Sequence, residues 1–177
     1  MIPTRGGDWY DGGFWQSLYK HSWTTNDNAL YNTWNYLYKV VMMCDQSEKI
    51  LNERRALLTD AQLNEALAEV RGLRAMYFFY LMDMYGRIPL VTDATTPVDS
   101  IRQSERSETF RYIYNELESV APSLPDVHSN LQNDYYGRFT RPVAYFLLAK
   151  LALNAEVYAD DDWTDGVRPD GRTIMLD

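Results

Sequence analysis

The chain has 177 residues, 46% of them hydrophobic and 24% charged, which suits one folded region with a core of its own and argues against disorder. Its formal net charge of -8 repels a polyphosphate where nucleic-acid binding would need a basic stripe, and no apolar run approaches the roughly 20 residues of a membrane helix. The first residues carry no signal-peptide pattern, and the one cysteine, Cys44, has neither a disulfide partner nor the companions of a zinc site.

The opening stretch, IPTRGGDWYDGGFWQSLYKHSW, sets three tryptophans among four glycines with no steady helical or strand period. It reads as a loop, residues 1–27, whose glycines permit positive φ. Flat rings beside Arg, Asp and Asn are what carbohydrate binding asks for, since rings stack on the C–H faces of sugars and polar side chains bond the hydroxyls. Arg5, Asp8, Trp9, Asp11, Trp15, Trp23, Asn26 and Asn28 lie within this loop and the start of the helix that follows. The competing reading is that Trp9 and Trp15 are structural and plug the loop onto the helices.

Residues 28–158 read as helical repeats. From Asn28 to about Arg55, the residues Leu30, Trp34, Leu37, Val41 and Cys44 recur at steps of four and three, on one helix face, with Asn26 or Asp27 as cap. Thr59 and Gln62 form a capping-box pattern for a second helix, with Ala66, Val70, Leu73, Tyr77, Leu81 and Met84 on one stripe and Gly86 as its C-terminal cap. Within that helix, Arg71 and Arg74 stand among apolar neighbours and are expected to reach carboxylates or loop carbonyls, which makes them structural. RIPLVTD then runs extended.

Ser107 is expected to cap a third helix carrying Phe110, Ile113, Tyr114, Leu117 and Val120. Thr140 caps a fourth, with Pro142 in its first turn and Ala144, Leu147, Leu148, Leu151 and Tyr158 inward. Residues 159–177 read as loop and tail: ADDDW as an acidic, solvated helix end, and then two D-G turns around a short extended run. Two long interruptions separate helices that otherwise pair, the arrangement that helical repeats stack.

Catalytic and metal motifs are not found. His21 and His128 stand far apart with no nucleophile or zinc pattern around them, the glycines of RGGDWYDGG match no phosphate cradle, and DDDWTDG sets its glycine one place late, a tryptophan or threonine at donor positions and no closing glutamate for a calcium loop. No catalytic residue, cofactor or metal is assigned.

The stretch AEVRGLRAMYFFYLMDMYGRIPLVTD resembles the signature of the SusD/RagB family of surface glycan-binding lipoproteins of Bacteroidetes. The opening stretch resembles the loop before that family's first tetratricopeptide-like helix, and YYGRFTRPVAYFLLAKLALNAEVY resembles a later helix. The resemblance implies an all-α core of tetratricopeptide-like antiparallel helix pairs with long irregular loops, and no catalysis. It implies a SusC-type TonB-dependent transporter as partner, an oligo- or polysaccharide as ligand, and a place on the extracellular face of the outer membrane. A lipid anchor would attach the protein there, through a cysteine this sequence does not show, and the chain is expected to be an internal fragment of a longer protein. Trp23 and Asn28 match the family's ligand-binding pattern best, with Arg5 and Asp8 as further glycan-binding candidates. The alternative is a tetratricopeptide-like protein-interaction scaffold with no ligand site of its own.

Overall fold

Gly12 and Gly13 take φ angles of 64° and 90°, a region open to glycine at no steric cost, and this bend leads a tight 3-10 turn into a short helix, α1 (Phe14–Tyr19). The structure is a computed structural model and describes residues 11–176, so Arg5, Asp8 and Trp9 lie outside the described residues. It forms two compact units, the first ending at Tyr36 and the second beginning at Leu37.

In the first unit, the stretch expected as loop contains α1. His21 ends the helix in the left-handed region (φ 54°), where a glycine is usual. Around it, Ser22 N–H donates to the Ser17 carbonyl (3.0 Å) and His21 N–H to that of Leu18 (3.3 Å), the paired bonds of a Schellman motif. A turn follows in which Asp27 N–H donates to the Thr24 carbonyl (3.1 Å) and Asp27 Oδ2 accepts the Thr24 N–H. Helix α2 (Asn28–Glu53) starts directly after it and continues into the second unit.

The second unit holds the core. On α2, the four-and-three spacing buries Leu37, Val41 and Cys44, and adds a charged residue, Asp45, to the same face. Helix α3 (Asp60–Tyr85) opens on a complete capping box: Gln62 N–H donates to Thr59 Oγ1, and Thr59 N–H donates back to Gln62 Oε1. It closes on Gly86 (φ 73°), whose N–H donates to the Met82 carbonyl at 2.9 Å.

The buried face of α3 differs from the expected stripe. Ala66, Val70, Leu73 and Tyr77 are half-buried and Met84 is exposed, while Ala68, Gly72, Ala75, Phe79 and Met82, with Arg74, Phe78 and Leu81, form the deepest face. An apolar count misses this face because a glycine and an arginine sit in it. Each large side chain buried there contributes roughly 1.5–3 kcal/mol.

Two short strands, β1 (Ile88–Pro89) and β2 (Gln103–Ser104), pair antiparallel with Ile88 opposite Ser104. Helix α4 (Arg106–Val120) packs on α3, burying Phe110, Ile113, Leu117 and Val120, and helix α5 (Arg141–Leu153) packs on α4 through Ala144, Leu147 and Leu151. Between them, Phe139 lies against Gly72, where a Cβ would stand 2.3 Å from the ring. Asn154 breaks the expected fourth helix, so Tyr158 is buried from a separate turn, α6 (Ala155–Tyr158).

Three features of the fold change what the sequence suggests. Ser107 is not the cap of α4: Glu105 holds that position, and Ser107 sits inside the first turn, its N–H and Oγ donating to the Asp161 carboxylate at 2.9 and 2.5 Å. The acidic run is likewise only in part a solvated end. Asp160 is buried and paired with Arg168 at 2.8 Å, and Asp161 accepts from Ser107 on α4, while Asp162 stays exposed and bonds locally to Thr164. Finally, the tail carries a helix, α7 (Gly171–Leu176), started by an Asp170 carboxylate that accepts the Arg172 N–H.

Candidate functional site

Among the described residues of the first unit, Trp15, Tyr19, Trp23, Tyr31 and Tyr36 are exposed. Trp23 stands 43% exposed, between the Schellman motif that ends α1 and the Thr24–Asp27 turn, with its ring centroid 5.0 Å from that of His21. The chain around it is bonded on both sides, so the ring is held on a fixed turn. Asn28 is exposed at the start of α2, five positions on, with an amide able to donate and accept. An apolar face and a polar tip in one short segment form the elementary unit of a sugar contact.

Trp15 departs from the expected division of the rings. It is 40% exposed, almost the same as Trp23, and its indole N–H donates to Asp11 Oδ2 at 2.5 Å. Phe14 meets it edge to face, centroids 4.8 Å apart. Exposure therefore does not separate Trp15 from Trp23, and α1 buries none of its residues. Tyr19 and Tyr31, which sequence reasoning passed over, are exposed as well.

Arg71 and Arg74 belong to the scaffold of the second unit. Arg71 forks onto Glu116, Nε to Oε1 at 2.7 Å and Nη2 to Oε2 at 2.8 Å, and the bond to Glu116 raises its pKa above the arginine value. Arg74 is buried and reaches Asp45 (2.8 Å) and Glu48 (2.6 Å) on α2, Glu116 (3.3 Å) and the Tyr112 hydroxyl (3.2 Å) on α4, and the Thr92 carbonyl (3.4 Å). Burial opposes its charge, but Tyr112, Glu48 and Asp45 outweigh burial and its pKa lies above the ordinary value. Burial likewise pushes Tyr112 up to about 12 and raises Asp45, against the pull of Arg74. One side chain thus joins two helices and a loop to α3.

Trp163 shows what an engaged ring looks like. It is half exposed, yet the guanidinium groups of Arg106 and Arg168 lie over it at 4.6 and 4.5 Å from the ring centre. Its stacking surface is occupied by the protein's own cations. Among the described residues, no group of three or more His, Cys, Asp or Glu side chains is placed to hold a metal ion.

With half-exposed rings on a braced segment and a helical scaffold behind it, residues 7–153 match the model of a family described as starch-binding and associating with the outer membrane. The chain belongs to this SusD-like family. A SusD-like protein of Bacteroides ovatus is 28% identical over 97% of the chain and 30% of its own length. The starch-binding protein SusD of Bacteroides thetaiotaomicron is 32% identical over 57% of the chain and 17% of its own length. Among solved structures, a protein crystallised with a xylogluco-oligosaccharide superposes with a TM-score of 0.64 at 27% identity, over 76% of this chain and 26% of its own. The chain thus spans less than a third of the length of the SusD-like proteins it matches. The mostly α architecture is the one its relatives share.

The signal that would have found Tyr19 was present in GGFWQSLY, where Trp15 and Tyr19 fall one helical turn apart. The partners of Arg74 carry no such signal, because Asp45, Glu48 and Glu116 come from helices distant in sequence.

Proposed function

We propose that the protein is a non-catalytic cell-surface subunit that captures oligo- or polysaccharide and delivers it to a SusC-type TonB-dependent transporter in the outer membrane. In this reading a lipid anchor holds it on the extracellular face, and the helical scaffold docks the transporter. Trp23 stacks on a sugar ring and Asn28 bonds hydroxyls, with Arg5 and Asp8 as further polar contacts. The observation that carries the reading is Trp23: a ring 43% exposed on a bonded turn, inside the segment that matches a starch-binding family.

The experiment is a calorimetric titration of the protein with maltoheptaose, laminarihexaose and a xyloglucan oligosaccharide, with product analysis of the sugars after incubation. Saturable binding to at least one, with the sugar recovered intact and the affinity reduced by Trp23→Ala, supports the reading. Cleaved sugar would replace capture with catalysis, and copurification with a transporter barrel tests delivery.

A further inference from the structure

We infer that Trp15 and Tyr19 form a second stacking platform on α1, which takes neutral sugar residues of an extended glycan. This rests on the glycan-capture reading above and adds residues to that surface. Four features of the first unit carry it.

Both rings are solvent-facing: Trp15 is 40% and Tyr19 69% exposed, on a helix that buries none of its residues. They stand four positions apart, which places them on the same helix face with Cβ atoms about 5–6 Å apart, comparable to the length of one sugar residue along a chain. Consecutive sugars can therefore meet consecutive rings.

Trp15 is held before any ligand arrives. Its indole N–H is bonded to Asp11 and its ring makes a T-shaped contact with Phe14, and so little rotamer freedom is left to lose on binding. The helix itself is fixed at its two ends, by Gly13 in the left-handed region and by His21 within the Schellman bonds. Asp11 is exposed beside the ring, and its carboxylate is an acceptor for a hydroxyl at the ring's edge.

The contrast with Trp163 is the third feature: there guanidinium groups cover the ring, whereas the bond made by Trp15 runs through its N–H, in the ring plane, which does not use the stacking faces. The fourth is charge. The Asp11 carboxylate beside Trp15 disfavours a uronic or sulfated sugar at that ring and favours a neutral one.

The test titrates the protein and its Trp15→Ala, Tyr19→Ala and Tyr19→Phe variants with maltoheptaose, laminarihexaose and a xyloglucan oligosaccharide. The expected result is an affinity about five- to tenfold lower for each alanine variant and near wild type for Tyr19→Phe, which keeps the ring. Tyr19 is exposed enough that its truncation leaves the melting temperature unchanged, and so the Tyr19 pair reads stacking even where Trp15→Ala unsettles the helix. If both alanine variants bind within twofold of wild type while Trp23→Ala loses binding, the platform is wrong and the capture reading stands. If the wild-type protein binds none of the three sugars, the capture reading fails and the platform fails with it.

Discussion

Arg74 Nη1 lies 2.8 Å from Asp45 Oδ1, with both side chains about 5% exposed or less. Removing one partner from such a pair leaves a buried charge uncompensated, at a cost of about 3–5 kcal/mol. Arg74→Met is therefore expected to lower the free energy of unfolding in urea by that amount. A loss under about 1 kcal/mol would mean that water reaches the network and screens it.

Gly72 is expected to resist the substitution that usually strengthens a helix. Alanine gains about 1 kcal/mol of helix propensity over glycine, but its Cβ would stand 2.3 Å from the buried ring of Phe139, and overpacking costs about 1–3 kcal/mol. Gly72→Ala should lower stability on balance, and the loss should shrink in a Phe139→Leu background. Equal losses in the two backgrounds would show that the ring is not what opposes the methyl group.

Cys44 gives a pH dependence with a definite sign. Burial raises its thiol from 9.0 to about 11, so the folded chain keeps a proton that the unfolded chain has released. Its contribution is fully present below pH 9 and is lost as pH rises from 9 towards 11. Comparing urea unfolding at pH 8 and pH 10 in the wild type and Cys44→Ala isolates it, with the wild type losing more. At pH 8, an aromatic disulfide reagent should modify the folded thiol far more slowly than the unfolded one.

Asp161 caps α4 from 54 residues away. Asp161→Ala should cost about 1 kcal/mol, the usual loss for a missing N-terminal cap, and should raise amide exchange in the first turn of α4. Unchanged exchange at Ser107 would remove Asp161 from that role.

Three local signals were readable in the sequence because their partners lay within one turn. The Thr59–Gln62 capping box, Gly86 and Pro142 each act within four residues, and the structure places them as the sequence predicts. Ser107 was misread because it looks like a cap locally, and only the tail, folded back, shows that Asp161 takes the role. Asp160 was misread for the same reason, since Arg168 reaches its carboxylate, and Arg106 its backbone carbonyl, only in the folded chain. At the candidate site, composition pointed to the segment and the family pattern to Trp23. The outward turn of Trp15 was hidden, because the glycines that precede a ring say nothing about which way the short helix after them faces.

Calorimetric titration of the protein and its Trp23→Ala variant with maltoheptaose, laminarihexaose and a xyloglucan oligosaccharide, paired with melting temperatures, tests the central claim most directly. Glycan capture through an exposed ring predicts saturable binding that weakens about tenfold or more in the variant at an unchanged melting temperature. Binding that Trp23→Ala leaves intact, with a lowered melting temperature, would make the ring a structural plug and contradict the account.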